Sequence, residues 1–169
     1  MRMWITMKSL NDAQLTMILD NTKCIRDMLA LRIAIDTGMR VGEIVSLDVK
    51  DIQDRGRRIV VNTSKRHPEG RTIVVESERL TKMLIHHIGN RPPDSALLVS
   101  NKGSRLSKRQ LQRLYVNVAK KCGIPDDKCH IHILRHSYVR RMVDAKNTTI
   151  LRQRMGHKNF RSTSYYVDR

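Results

Sequence analysis

Residues 24–37, Cys-Ile-Arg-Asp-Met-Leu-Ala-Leu-Arg-Ile-Ala-Ile-Asp-Thr, carry apolar side chains on more than one face of a helix. A helix at the surface of a domain needs a single apolar stripe. One that is apolar over more of its circumference must be packed by several neighbours. The chain is therefore expected to fold around this segment as a central helix, closed at its C-terminal end by Gly38.

The rest of the chain supplies what surrounds it. A first helix is expected from Ser9 to Asp20, opening on cap-type residues and carrying Leu10, Leu15, Ile18 and Leu19. A short helix is expected over 41–47, where Val41, Ile44, Val45 and Leu47 are apolar. Residues 57–63 and 71–76 are β-branched runs separated by Ser-Lys-Arg-His-Pro-Glu-Gly, which reads as a hairpin. Residues 77–89 return to helix and 89–94 form a loop. Ser107-Lys-Arg-Gln110 is a capping box, followed at helical spacing by Leu111, Leu114, Tyr115, Val118 and Cys122. Gly123-Ile-Pro125 ends that helix. Another is expected from His132 to about Ala145, with Leu134, Tyr138 and Met142 inward. Thr148 or Thr149 caps a short helix stopping at Gly156, and a last helix holds Phe160 to Tyr166. The fold class is mainly α with one small antiparallel β-sheet, an α+β domain, with no internal repeat.

Length and composition fit one globular domain: 169 residues, 40% of them apolar. No run of 18 apolar residues spans a membrane, and the start lacks the apolar region of a secretory signal. A soluble, cytoplasmic protein is expected. Three cysteines, Cys24, Cys122 and Cys129, lack C-x-x-C spacing and are read as buried thiols. Cys122, Cys129, His130 and His132 match no common zinc spacing, so no metal site is assigned.

Charge narrows the partner. Residues 1–100 hold 16 Lys/Arg against 12 Asp/Glu, whereas residues 101–169 hold 17 against 4. This asymmetry points to a polyanion, most simply nucleic acid. Aromatic side chains are scarce, so platforms for stacking single-stranded bases are few. Double-stranded DNA gripped through its phosphates is the expected partner.

Several residues have the chemistry for that partner. Arg40 sits in Thr37-Gly-Met-Arg-Val-Gly-Glu43, and His132 and Arg135 share a helix face three residues apart. Each guanidinium can donate two parallel hydrogen bonds to a phosphate, and two together would offset charge building up on a five-coordinate phosphorus. Glu43 either orients Arg40 or a histidine, or is an ordinary i,i+3 surface pair. Lys65, in the hairpin loop, can protonate a leaving alkoxide. Arg66, His67 and Arg71 are possible phosphate contacts without a chemical role, as are Lys108, Arg109 and Arg113 on the later helix. His157 follows Gly156 and can donate to phosphate. Tyr165 and Tyr166 are about 100° apart on a helix, so only one faces a site well. A tyrosine nucleophile needs no metal when arginines carry the developing charge.

The ordered set Thr37-Gly-Met-Arg-Val-Gly-Glu-Ile-Val-Ser-Leu47, Lys65, His132-Ile-Leu-Arg-His136 and Gly156-His157, with Tyr166 nine residues on, resembles the tyrosine recombinase family, also called phage integrases. The resemblance covers residues 9 to 168. It implies that 1–169 is one catalytic domain. The sequence departs from the family pattern in that the additional N-terminal DNA-binding domain members usually carry is expected to be absent. It implies that Arg40 and Arg135 bind the scissile phosphate, with His132 assisting and accepting the tyrosine proton. His157 would donate to a phosphate oxygen, Lys65 would act as general acid, and Tyr166 would form a 3′-phosphotyrosine link. Glu43 would support the first arginine. No cofactor is implied. Members assemble as tetramers on DNA, and this chain alone is expected to be a monomer or weak oligomer. A related tyrosine-type topoisomerase and a non-catalytic DNA-binding module remain open as alternatives on the residues alone.

Overall fold

The structure, a computed structural model, describes residues 8–62 and 70–145. Six α-helices and three short strands are described, besides two single 3-10 turns: α1 (Asp12–Asp20), α2 (Ile25–Thr37), α3 (Val41–Ser46), β1 (Ile52–Gln53), β2 (Arg58–Val61), β3 (Arg71–Val74), α4 (Glu78–Ile88), α5 (Lys108–Lys121) and α6 (His132–Asp144). The expected α+β class holds.

Helix α2 is the hub. Leu29, Ala30, Leu31, Ile33, Ala34 and Ile35 are all buried, because α1, α3, α4, α5 and α6 all pack against it. Burial on several faces is what its apolar circumference requires. It ends at Gly38, whose φ of 65° is the left-handed conformation that a residue without a Cβ adopts at least cost. Helix α1 starts three residues later than the sequence suggests. The cap is Asn11, whose side chain accepts from the Gln14 N–H while the Gln14 side chain accepts from the Asn11 N–H. Leu10 is held outside the helix, its N–H donating to the buried Ser137 hydroxyl at 2.8 Å.

The sheet is antiparallel in the order β1-β2-β3. Ile59 and Ile73 face each other across β2 and β3, both fully buried, and Val61 pairs with Arg71 at the end of the ladder. The two β-branched runs predict this pair. Strand β1 has no such run and nothing in the sequence announces it. It forms because Asp54, Arg55 and Gly56 all take positive φ and fold the chain back on β2.

Helix α5 has the expected Ser107/Gln110 capping box and buries Leu111, Tyr115 and Ala119. Cys122 is its C-cap rather than a helical residue. Helix α6 buries Leu134 and Tyr138 as expected, with Met142 partly covered. One expectation fails: Cys24 is exposed, and Cys122 and Cys129 are only partly covered. Cys24 is the first turn's cap, lying just outside α2 where the apolar pattern no longer dictates burial. The helices expected after Thr148 and over Phe160 to Tyr166 lie outside the described residues. Among the described residues no helix is long and apolar enough to cross a membrane.

Candidate active site

The turn from α2 to α3 carries Arg40. The Thr37 hydroxyl donates to the Ile33 carbonyl at 2.6 Å and accepts from the Met39 N–H at 3.3 Å. Gly38 reverses the chain, Met39 is buried, and Arg40 becomes the N-terminal cap of α3. With Met39 inward, the Arg40 side chain is left 30% exposed.

Glu43, three residues on, is no surface pair. It is buried, and its Oε2 accepts the Arg40 backbone N–H at 2.7 Å. Its carboxylate is gripped by Arg71 from β3, Nη1 to Oε1 and Nη2 to Oε2, both at 2.8 Å. The Arg40 guanidinium reaches Oε1 only at 3.4 Å. Burial pushes the Glu43 carboxyl up, but hydrogen bonds from Arg71 and the Arg40 backbone, with the charges of both arginines, outweigh it. The carboxyl is held below its usual value of 4.5. Arg71, expected as a phosphate contact, is thus committed to Glu43, with 11% of its side chain exposed.

Helix α6 brings the second arginine to the same turn. Arg135 Nη1 donates to the Gly38 carbonyl at 2.5 Å, two residues before Arg40 and across 97 positions of sequence. His132, the first residue of α6, is exposed one turn earlier. The His130 and His136 rings meet edge to face with centroids 6.4 Å apart. Burial pushes the His136 pKa down, and the charges of His130, His132 and Arg135 push it further.

Lys108, Arg109 and Arg113 are exposed on α5. The Lys108 stem lies over α3: a Cβ added at Gly42 would stand 2.9 Å from its Cε and 3.2 Å from its Nζ. Arg40, Glu43, Arg71 and Arg135 are therefore linked around one turn, with Lys108 lying over the helix that follows it. Lys65, Arg66, His157 and Tyr166 lie outside the described residues. Among the described residues no group of His, Cys, Asp and Glu could hold a metal ion.

The Arg71–Glu43 fork has no local signature that names both partners, although the strand pattern marks Arg71 as needing one. Arg71 shares a strand face with Ile73 and Val75, both buried. An arginine on a core-facing position needs a carboxylate; Glu43 and Asp51 are the buried ones among the described residues, and Arg71 takes Glu43. Part of the C-terminal excess of positive charge serves the fold. Arg105 serves the carbonyls of Val45 and Leu47 and the carboxylate of Asp48, and Arg141 serves the carbonyl of Ile35. Those guanidinium groups tie the fold together.

A family model described as the phage integrase family matches residues 7–169. The chain is 27% identical over 158 residues to tyrosine recombinase XerC of Serratia marcescens, covering 88% of this chain and 50% of that protein. It is 29% identical over 161 residues to tyrosine recombinase XerA of Saccharolobus solfataricus, covering 95% and 52%. The chain thus spans about half the length of the curated relatives it matches. The fold matches the crystal structure of XerA recombinase with a TM-score of 0.82 at 22% identity, over 100% of this chain and 61% of that one. It matches the Tn1549 transposon integrase in complex with circular intermediate DNA with a TM-score of 0.82 at 20% identity, over 96% and 63%.

Proposed function

The chain belongs to the phage integrase family, and we propose that it cuts and rejoins double-stranded DNA at specific sites through a 3′-phosphotyrosine intermediate. The observation that carries this reading is the convergence of Arg40 and Arg135 on the Gly38 turn. The names of the relatives, tyrosine recombinases, support it, as does the circular intermediate DNA bound to one structural neighbour, the Tn1549 transposon integrase.

In this reading the two guanidinium groups hold the non-bridging oxygens of the scissile phosphate and stabilise the charge that gathers on five-coordinate phosphorus. The Tyr166 hydroxyl attacks phosphorus, giving its proton to His132. The bond from phosphorus to the 5′-oxygen breaks, and Lys65 supplies the proton that oxygen needs. His157 donates to a phosphate oxygen. A 5′-hydroxyl from a partner strand then attacks the phosphotyrosine and releases Tyr166. One phosphodiester is exchanged for another, so the step conserves bond energy and calls for no ATP. In this reading the protein works in the cytoplasm on nucleoid DNA and assembles with further copies there, whereas this chain alone is a monomer or weak oligomer. Arg66, Lys108, Arg109 and Arg113 contribute phosphate contacts that make binding steeply salt-dependent.

Covalent capture tests this. Duplexes with bridging 5′-phosphorothiolates cleave without a general acid and rejoin poorly. The parent and Tyr165→Phe are expected to give an adduct that survives a denaturing gel, and Tyr166→Phe none. Tight duplex binding with no adduct from the parent contradicts the enzyme reading.

A further inference from the structure

The carboxylate of Glu43 is shared unequally between two arginines. Arg71 takes both oxygens in a fork at 2.8 Å, whereas the Arg40 guanidinium stands off at 3.4 Å. An arginine and a glutamate one helical turn apart are ordinarily free to close on each other. Here the fork position is already filled, from a different element.

We propose, on the reading above of Arg40 as a phosphate ligand, that Arg71 is a positioning residue that neutralises Glu43 and so keeps the Arg40 guanidinium available to DNA. Glu43 cannot simply be absent, because its Oε2 caps the Arg40 backbone N–H. Yet a buried carboxylate beside a lone arginine would draw that arginine into a closed pair and quench the charge it offers to phosphate. Arg71 resolves this conflict. It reaches Glu43 from β3, with its own side chain 11% exposed against 30% for Arg40. The more covered arginine takes the carboxylate and the more exposed one is left facing outward.

A second-site test separates this role of Arg71 from two others, a direct phosphate contact and a plain tie between β3 and α3. The readout is the slope of log affinity against log salt for a short duplex, which falls by roughly one for each phosphate the protein ceases to neutralise. Arg40→Gln and Arg71→Gln are each expected to lower the slope by about one, and the two together by no more than either. Adding Glu43→Gln to Arg71→Gln is expected to restore the slope, because the competing carboxylate charge is gone. Adding Glu78→Gln instead, at an exposed carboxylate on α4, returns the same net charge and is expected to restore nothing. A loss that Glu43→Gln does not reverse would make Arg71 a DNA contact, and an unchanged slope in Arg71→Gln would make it a tie; either overturns the proposal. If Arg71→Gln does not fold, Arg71→Lys takes its place, with a partial loss that Glu43→Gln reverses as the expected result and no such reversal as the contrary one. A parent that binds no duplex, or whose slope ignores Arg40→Gln, overturns the functional reading itself and the proposal with it.

Discussion

Arg135 and Gly38 are joined by a hydrogen bond of 2.5 Å from Nη1 to the carbonyl oxygen. The left-handed conformation of Gly38 ends α2, and the guanidinium from α6 takes the turn as its footing. One side chain thereby serves both the fold and the proposed chemistry, since the same turn presents Arg40.

Replacing Arg135 by alanine is expected to affect both. A charge-assisted hydrogen bond contributes about 1.5–3 kcal/mol, so thermal unfolding should shift down measurably while the protein still folds. Losing one of two groups aimed at the developing phosphate charge should slow adduct formation by roughly 10²–10³-fold. Single-turnover capture on the phosphorothiolate duplex reads the rate, and a stability loss without a rate loss would confine Arg135 to the fold.

Glu43→Ala should be among the most damaging single changes. It strands the Arg71 guanidinium and uncaps the Arg40 N–H, and breaking one partner out of a buried pair costs about 3–5 kcal/mol. Denaturant titration of parent and variant measures it. A loss below about 1 kcal/mol, the range of exposed ion pairs, would mean that water reaches the pair.

The same carboxylate sets an acid limit. Its folded-state pKa lies below the usual 4.5, so its contribution is present above that value and is lost as pH falls through the folded-state pKa. Melting temperature followed from neutral pH down into the acid range should fall more steeply for the parent than for Glu43→Gln. Parallel curves would show that other groups govern acid unfolding.

His136 acts in the same direction at higher pH. Its pKa is lowered from the usual 6.5, so the folded state holds fewer protons than the unfolded chain between the two values. Its contribution is present above 6.5 and is lost as pH falls through the folded-state pKa. A histidine titration by NMR should show the His136 ring titrating below 6.5. A midpoint at or above that value would contradict the burial and charge environment described for it.

Much of this was legible in the residues, for identifiable reasons. The apolar circumference of α2 required neighbours on several sides, and the structure supplies five helices around it. Capping residues wrote the starts of α5 and, with Asn11 in place of Ser9, of α1. What stayed hidden was long-range pairing. Nothing local to Arg71 names Glu43, and nothing local to Arg135 names Gly38, because both contacts exist only once β3 and α6 have packed on the turn. Strand β1 was hidden for a different reason: its two residues are recruited by a turn and have no pattern of their own.

The most direct measurement is to locate the DNA on the protein. The adduct from the phosphorothiolate duplex would be digested with protease and nuclease and sequenced by mass spectrometry. The expected result is a 3′-linked nucleotide on Tyr166, with the amount falling sharply in Arg40→Ala and Arg135→Ala. A nucleotide on Tyr165 or on any other side chain, or a yield indifferent to both arginines, would contradict the account of a phosphate held at the Gly38 turn and attacked by Tyr166.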